Sequence, residues 1–409
     1  MKQYIRWAKS TVKHALTTRR VIIISGARQA GKTTLAKQAV TDNAIFRTLD
    51  DTTLLDVALQ DPQGFLEHDA KTLVIDEIQK APLLLPEIKK VVDKNNNKGQ
   101  FVLTGSSDVR SNPKIKESLA GRIKNIRLRT LTEGEIRGTS ANFIERLFAS
   151  DFPSQVKECS KNAILNIALR GGYPEVLSFN KNDRKDWYKD YLDALIEHDL
   201  KDIANIKNED ALRQIIKILA AWSSKYMDIK GICSSCGISK PTLTEYIALV
   251  ERLYLSERLH PWTKTDYDMI GKTDKMFITD TGLMAAILGW HYDIVAFDAD
   301  KFGKIIETFV FNELSAQIEL NNEYTLHHYR DRRDREIDFI IENENGDIVG
   351  IEVKGGSRVS KEDFKHLEWF KDNLAKDKKF TGIILYSGEN TLSFGNNMLA
   401  VPTACLWNG

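Results

Sequence analysis

The chain has few cysteines, little net charge and no long apolar run, and each shortage excludes a class of protein. Four cysteines in 409 residues do not make the disulfide framework of a small secreted domain, so a reducing compartment is expected. No stretch approaches the roughly 20 consecutive apolar residues that a membrane-spanning helix needs. The N-terminus has no continuous apolar segment of the signal-peptide type. These shortages predict a cytoplasmic protein with no membrane partner.

The composition that remains is that of an ordinary globular chain with about two to four domains. Hydrophobic residues make up 42% of the sequence and charged residues 28%, and the formal net charge is +1. The charge is uneven, because residues 1–50 contain ten Lys or Arg and only two acids. This basic segment fits a surface that faces nucleic acid, and equally a solvated helix face balanced by the acidic remainder.

Residues 26–33 match the Gly-x-x-x-x-Gly-Lys-Thr pattern of a phosphate-binding loop (P-loop). An apolar β-branched run precedes them at 21–24 and a helical spacing follows at 34–40, which is the context that the pattern requires. Backbone N–H groups and the helix N-terminus would then face the phosphates of ATP or GTP. Lys32 would reach the terminal phosphates and Thr33 would hold Mg²⁺. The predicted nucleotide-binding residues here are Gly26, Ala27, Arg28, Gln29, Ala30, Gly31, Lys32, Thr33 and Thr34.

Two further strands end in polar residues that suit a nucleotide site. Residues 73–77 run from apolar positions into Asp76 and Glu77, which predicts Asp76 in the Mg²⁺ shell and Glu77 as the group that activates water. Residues 100–107 end in small polar residues at the edge where open α/β sheets bind ligands. Thr104 or Ser106 would contact the terminal phosphate or its water, unless these hydroxyls only cap the next helix.

Arg122 precedes a basic stretch and is the candidate for an arginine that stabilises transition-state charge. In oligomeric ATPases such an arginine commonly comes from a neighbouring subunit. An ordinary surface arginine is the alternative interpretation. With a strand at 44–50, these segments predict a doubly wound parallel sheet of the P-loop type.

Together these motifs resemble one family, the bacterial and archaeal AAA-type ATPases that carry a C-terminal domain of unknown function. The resemblance rests on Gly-Ala-Arg-Gln-Ala-Gly-Lys-Thr-Thr-Leu, Ile75-Asp76-Glu77-Ile78-Gln79, Leu103-Thr104-Gly105-Ser106-Ser107, Ala120-Gly121-Arg122, Gly171-Gly172-Tyr173-Pro174 and the closing Val401-Pro402 and Leu406-Trp407. It implies an AAA+ ATPase that uses ATP and Mg²⁺ and assembles as a homo-oligomer, for which a hexamer is one option. It leaves the biological task open.

Helical spacing dominates the middle of the chain. Residues 131–206 predict an all-helical lid, in which Arg170 would reach the phosphates or, more in keeping with its setting, form a structural salt bridge. Residues 211–262 resemble a winged helix, with Ser239 capping a helix that has Pro241 in its first turn, and with wing strands at 253–255 and 257–259. Acidic residues offset the basic ones on that helix, so protein docking or packing competes with DNA reading.

Cys233 and Cys236 form an isolated Cys-x-x-Cys. His260 would be a third zinc ligand, but a four-coordinate site needs a fourth, which the sequence does not supply nearby. The two cysteines are therefore predicted to be core residues.

The C-terminal region places two acids and a lysine in apolar strands. Alternation puts Glu352 and Lys354 on one face, and an Asn-Gly turn brings Asp338 towards them from the preceding strand. Such a set resembles the PD-(D/E)XK nuclease core, in which carboxylates hold Mg²⁺ or Mn²⁺ and the lysine steadies the attacking water. Asp338, Glu352 and Lys354 are the predicted catalytic residues, and Glu307, Asp338 and Glu352 the predicted metal ligands.

Four arginines just before Asp338 leave two readings of these acids open. They could balance the carboxylates in a surface hairpin, or clamp a nucleic-acid backbone. The four are Arg330, Arg332, Arg333 and Arg335.

The sequence therefore predicts an α/β multidomain protein. Its expected parts are a P-loop AAA+ core at 1–130, a helical lid at 131–207, a winged helix at 208–292 and a restriction-endonuclease-like α/β domain at 293–409. The expected function is an ATPase whose nucleotide state controls the binding, remodelling or cleavage of DNA. The alternative is an ATP-driven switch or branched-DNA motor whose nuclease-like domain binds but does not cut.

Overall fold

The computed structural model describes residues 3–40, 43–106, 121–157, 160–199, 209–265, 273–320 and 322–408. Ser107, Ala120 and Ile206, which the sequence analysis used, lie outside these ranges. The chain forms two compact units: unit 1 is Met1–Leu131 with Arg252–Tyr254, and unit 2 is Thr132–Glu251 with Leu255–Gly409. Among the described residues, no helix is long and apolar enough to cross a membrane.

Unit 1 is built on a sheet of five parallel strands in the order β2-β3-β4-β1-β5. The strands are β1 (Val21–Ser25), β2 (Ala44–Thr48), β3 (Thr72–Asp76), β4 (Phe101–Gly105) and β5 (Ile123–Arg127). The helices are α1 (Ala8–Thr18), α2 (Lys32–Ala39), α3 (Thr52–Gln60), α4 (Pro62–Leu66) and α5 (Leu84–Lys94). The predicted parallel α/β sheet is confirmed.

Burial explains which strands can be recognised from the sequence. The three central strands are apolar and almost wholly buried, because helices cover both faces of a parallel sheet. β5 is an edge strand with apolar residues only at Ile123 and Ile126, so the basic stretch at 122–129 contains a strand that the sequence analysis did not predict. The carboxyl ends of all five strands share one edge, which positions the loops after β1 and β3 together.

Unit 2 begins with helices and contains two further sheets. Its helices are α6 (Glu133–Arg137), α7 (Phe143–Ala149), α8 (Lys161–Arg170), α9 (Lys181–Ala194), α10 (Glu209–Ala221), α11 (Ile229–Cys236), α12 (Lys240–Arg252), α13 (Thr281–Leu288), α14 (Tyr292–Val295), α15 (Ala299–Ile318) and α16 (Lys365–Asn373). Its strands are β6 (Lys225–Tyr226), β7 (Ser256–Leu259), β8 (Lys275–Ile278), β9 (Tyr324–Arg330), β10 (Glu336–Asn343), β11 (Ile348–Lys354), β12 (Phe380–Tyr386), β13 (Leu392–Gly395) and β14 (Met398–Pro402).

The first sheet of unit 2 has three strands in the order β6-β8-β7. The Thr242 N–H donates to the Ser239 hydroxyl at 3.3 Å and Pro241 lies in the first turn of α12, as predicted. The expected wing strand at 253–255 is wrong, since these residues form the turn that leads from α12 into β7. The second strand of the pair is instead β8, which is antiparallel to β7.

The second sheet has six strands in the order β13-β14-β12-β11-β10-β9. β10 and β11 form the predicted antiparallel hairpin, whose turn contains Gly346 at φ +79° and is held by the Asn343 side chain, which accepts from the Asp347 N–H at 2.9 Å. One large core joins this sheet to α7, α8 and α15, with Phe143, Ile164 and Phe302 packed in the same cluster as Phe339 and Trp407. The helices at 132–199, which the sequence analysis assigned to a lid, thus belong to unit 2, and α7 and α8 share this core.

Candidate functional sites

The P-loop runs from the end of β1 to the start of α2, and two glycines give it its shape. Gly26 has φ +155° and Gly31 has φ +98°, conformations that side chains disfavour. A Cβ on Gly26 would lie 2.1 Å from the Leu128 carbonyl oxygen, so the loop also packs too closely for any side chain there. Arg28, Gln29 and Thr34 are exposed, whereas Ala27 and Ala30 are buried. The result is a rigid turn at the N-terminus of a helix.

Two buried cations brace this loop. The Lys32 ammonium donates to the Ala27 carbonyl at 2.9 Å, so the Lys32 side chain folds back onto the loop. Arg6 donates to the Ala30 carbonyl at 2.8 Å and to the Arg129 carbonyl at 2.6 Å. The sequence analysis did not single out Arg6, since a lone arginine 20 residues before the loop carries no local signal. The N-terminal segment therefore supports the P-loop from outside the motif.

The predicted magnesium residues are adjacent. The Thr33 hydroxyl donates to the Asp76 carboxylate at 2.8 Å, and the Thr104 hydroxyl donates to the same oxygen of Asp76. Hydroxyl and carboxylate oxygens are the protein ligands that Mg²⁺ takes beside nucleotide phosphates. The oxygen donors at this edge therefore fit Mg²⁺.

Glu77 lies beside this pair in a left-handed backbone conformation, with φ 58° and ψ 45°. Such a conformation is uncommon for a residue with a side chain and tends to occur at functional sites. Its backbone N–H donates to the Thr104 hydroxyl at 3.3 Å, and its carboxylate accepts from the Ser106 hydroxyl at 3.1 Å and from the Gln79 amide. Thr104 and Ser106 thus orient the two acids, one acid each.

Arg122 lies away from this edge in its own chain. It directly precedes β5, and its carbonyl accepts from the Val21 N–H at 3.2 Å, at the amino ends of β1 and β5. Its guanidinium pairs with Asp93 at the end of α5. A five-residue strand is about 16 Å long. Arg122 is therefore at the opposite edge of the sheet from the P-loop of the same chain.

Arg170 forms the structural salt bridge that was the favoured alternative for it. Its guanidinium pairs with Glu133, which also pairs with Arg137 at 2.6 Å. The Glu133 N–H donates to the Glu313 carboxylate at 2.8 Å, and burial raises the pKa of Glu313 well above its usual range. This cluster ties α6, α8 and α15 together within unit 2.

The hairpin β10–β11 brings Asp338, Glu352 and Lys354 together as predicted. One oxygen of Asp338 accepts from the Val353 N–H at 2.9 Å, and the Lys354 ammonium lies 3.4 Å from Glu352. Burial raises the pKa of Glu352 to about 7, and the nearby Asp338 adds to the rise. Glu352 is buried, whereas Lys354 is partly exposed.

A lysine that the sequence analysis missed lies among the acidic residues near Asp338. Lys275, at the start of β8, pairs with Glu307, with Glu336 at 2.8 Å and with Asp338 at 3.2 Å. Burial disfavours its charge, but Glu307, Asp338 and Glu336 outweigh that effect and raise the pKa of Lys275 well above its usual range. Burial, with a contribution from Asp338, raises the pKa of Glu307 to about 8.

The predicted metal ligands do not fit a divalent ion as they are placed. Lys275 lies among the oxygens of Glu307 and Asp338, and Glu352 points towards Lys354 and, at 3.8 Å, the His366 ring. Within the described ranges, no group of three His, Cys, Asp or Glu residues is arranged to hold a metal ion. This applies equally to Cys233 and Cys236, which are half-buried free thiols in α11.

The loop between β9 and β10 balances part of its own charge. Arg330 pairs with Asp334 at 2.7 Å, and Arg335 pairs with Asp331 at 2.5 Å and lies over the Trp369 ring. Arg332 and Arg333 are exposed. Two of the four arginines are therefore engaged inside unit 2, and two face solvent.

Three models of known families match parts of this chain. A family model described as "AAA domain" matches residues 18–137. This match contains the P-loop, Asp76 and Glu77. Two models described as domains of unknown function, DUF8612 and DUF4143, match residues 161–293 and 302–406. An AAA domain implies a nucleotide site, and the P-loop lies within the matched residues. The descriptions of the other two models name no activity.

The chain also resembles curated proteins over most of its length. An uncharacterized protein of Mycobacterium tuberculosis is 26% identical over 399 residues, which cover 97% of this chain and 83% of that protein. An uncharacterized protein of Methanocaldococcus jannaschii is 25% identical over 395 residues, with 91% and 84% covered. Similarity over most of the chain therefore extends to proteins of both organisms.

Solved structures give weaker similarities. The Thermotoga maritima RuvB Holliday junction branch migration motor has a TM-score of 0.28 at 19% identity, covering 61% of this chain and 88% of RuvB. The Saccharomyces cerevisiae Hsp104–ADP complex has a TM-score of 0.29 at 15% identity, covering 74% of this chain and 47% of Hsp104. Scores this low carry no argument about function.

Proposed function

We propose that the protein is a Mg²⁺-dependent ATPase in which the AAA domain hydrolyses ATP. One observation carries the proposal: the Thr33 hydroxyl and the Asp76 carboxylate are hydrogen bonded at 2.8 Å, with Glu77 next in sequence at the same sheet edge. This pair supports a site in which phosphate-binding backbone, oxygen ligands and a carboxylate base would act together. Bound Mg²⁺ and the P-loop cations would neutralise the charge that develops on the transferred phosphoryl group.

Each group of residues at this site has its own role in ATP hydrolysis. The P-loop N–H groups and the Lys32 ammonium bind the phosphates, and Thr33 and Asp76 hold the metal ion. Glu77 accepts the proton of the attacking water, while Ser106 and Thr104 keep the two carboxylates oriented. We further propose that Arg122 serves the nucleotide of a neighbouring copy in a homo-oligomer, because it lies at the opposite edge from its own P-loop.

A mixing experiment tests both parts of this proposal. Lys32→Ala is expected to lower ATP turnover by about 10²–10³-fold, since it removes a phosphate-binding cation. Arg122→Ala is expected to lower turnover by about 10³-fold or more if it acts as an arginine finger. A mixture of the two variants should recover activity, because intact Arg122 of one copy then faces intact Lys32 of another.

The outcomes separate the two claims. Unchanged turnover in Lys32→Ala would contradict hydrolysis at the P-loop. An inactive mixture, in which size-exclusion chromatography shows that both variants co-assemble, would contradict the role of Arg122 in trans while leaving the ATPase intact. Lys185→Gln, an exposed cation of unit 2, is the matched control and should keep wild-type turnover.

We also propose that unit 2 engages nucleic acid without cutting it. The order α10, β6, α11, α12, β7, β8 with sheet order β6-β8-β7 supports a winged helix, and the hairpin with Asp338 and Glu352 supports a PD-(D/E)XK-like sheet. The exposed Arg332 and Arg333 beside that hairpin offer charge for phosphates. Lys275 among the carboxylates favours binding over metal-dependent cleavage.

A binding assay with linear, single-stranded and branched DNA tests this step, with Mg²⁺ or Mn²⁺ and with or without ATP. Arg332→Gln combined with Arg333→Gln is expected to weaken binding and to reduce the salt dependence by about one to two phosphate contacts. The matched control, Lys185→Gln combined with Lys376→Gln, removes two other exposed cations and should leave binding unchanged.

Two results would contradict this proposal. Absence of both DNA binding and DNA-stimulated hydrolysis would favour a switch that acts on a protein partner. Metal-dependent cutting that Asp338→Ala abolishes and Lys32→Ala spares would show an active nuclease.

A further inference from the structure

Lys275 is a buried charge at a place where the local sequence gives no reason for one. It is followed by Met276, Phe277 and Ile278, all of them buried, and its own side chain is 1% exposed. Burial of an ammonium group is unfavourable unless carboxylates and hydrogen bonds compensate for the lost water. The surroundings of Lys275 must therefore supply that compensation.

The compensation comes from the acids that the sequence analysis assigned to a metal ion. Glu307 projects from α15, and Glu336 and Asp338 project from β10, so three carboxylates from two elements converge on one ammonium. The other oxygen of Asp338 is bonded to the Val353 N–H at 2.9 Å. The ring of Tyr226 on β6 lies 5.7 Å from the Lys275 ammonium and adds a favourable face to it.

We infer that the Lys275 ammonium is the resident cation of this carboxylate cluster and stands in place of a divalent metal ion. A divalent ion bound to Glu307 and Asp338 would need the same oxygens and would lie within a few ångströms of a like charge. Lys354 does not replace Lys275 in this task, because its ammonium pairs with Glu352 at 3.4 Å and with Asp363 at 3.9 Å. The cluster thus uses an internal ammonium ion as its counter-charge.

Lys275 also connects the three-stranded sheet to the rest of unit 2. Lys275 is in register with Tyr226 on β6 and Leu259 on β7, so its backbone belongs to that sheet while its side chain pairs with β10 and α15. One side chain therefore links the two sheets of unit 2 and supplies a positive charge to the carboxylate cluster. The inference deepens the proposal that unit 2 binds without cutting, and it does not depend on ATP hydrolysis.

Binding of Mn²⁺ to the full-length protein without nucleotide tests the inference, with free Mn²⁺ followed by electron paramagnetic resonance. Wild type and Lys275→Arg, which keeps a cation, are expected to show no Mn²⁺ site that depends on Asp338. Lys275→Ala removes the cation and opens space, so it should gain one Mn²⁺ site at least tenfold tighter than any in the wild type. Lys275→Ala combined with Asp338→Asn should lose the gained site.

Two results would overturn the inference. One is a wild-type Mn²⁺ site that Asp338→Asn abolishes, a comparison that stands even if Lys275→Ala fails to fold. The other is a Lys275→Ala or Lys275→Gln variant that keeps the wild-type circular dichroism spectrum and gains no Mn²⁺ site. Because no nucleotide is present, either result is distinguishable from a failure of the ATPase proposal.

Discussion

Glu77→Gln is expected to reduce ATP turnover by about 10²–10⁴-fold while ATP binding is kept. The amide cannot accept the proton of the attacking water, yet it has nearly the same shape as the carboxylate. Its oxygen can still accept from the Ser106 hydroxyl, and the backbone N–H can still donate to Thr104. The loop, Lys32 and the Thr33–Asp76 pair are left in place, so the loss should appear in kcat and not in the affinity for ATP.

Turnover measured as phosphate release, beside binding of a fluorescent ATP analogue, separates these two quantities. Glu87→Gln is the matched control, because it makes the same chemical change on α5, where the side chain pairs with exposed Lys90 at 2.7 Å. That variant should keep wild-type turnover. Wild-type turnover in Glu77→Gln would contradict the assignment of Glu77 as the base, and loss of ATP binding would assign it to phosphate binding instead.

Trp407→Ala is expected to destabilise unit 2 by about 3–5 kcal/mol, the usual cost of removing a large buried aromatic side chain. Trp407 is 2% exposed and packs edge-to-face on Phe309 of α15, with ring centroids 5.8 Å apart. Its carbonyl accepts from the Thr139 hydroxyl at 2.9 Å. One side chain near the C-terminus therefore fills a core shared with residues more than a hundred positions earlier.

Urea unfolding followed by tryptophan fluorescence and circular dichroism measures this loss. Phe297→Ala is the control, since Phe297 is 87% exposed and its removal should change stability by less than about 0.5 kcal/mol. ATP binding by the AAA domain should survive in Trp407→Ala, because its core is a separate cluster. A stability equal to that of the wild type would contradict the place of Trp407 in the core that joins α7, α8 and α15 to the six-stranded sheet.

The sequence predicted best what short segments encode. A continuous apolar run predicts a central parallel strand, and β1, β3 and β4 lie where such runs occur. The sequence analysis missed β5 because an edge strand needs few apolar residues. Its charged residues instead suggested an exposed segment. The wing strand at 253–255 was wrong for a related reason: Leu253, Tyr254 and Leu255 are apolar and buried, but burial alone does not distinguish a strand from a turn.

The same distinction applies to the candidate sites: contiguous motifs were predicted from the sequence, and contacts between distant residues were not. Gly26, Lys32, Thr33, Asp76 and Glu77 are recognisable in the sequence because each motif is contiguous and the parallel sheet brings its strand ends to one edge. The structure added Arg6, Ser106 as the partner of Glu77, and the position of Arg122 at the opposite edge.

The sequence by itself determined the P-loop, its two acids and the hairpin that carries Asp338 and Glu352, since backbone geometry and local spacing dictate those. Only the tertiary structure decided what the C-terminal acids face. Lys275 is separated from Asp338 by 63 positions, and a buried ammonium among carboxylates is a product of packing between two sheets. Electrostatic compensation of this kind acts between residues that are distant in sequence, so no local pattern in the chain predicts it.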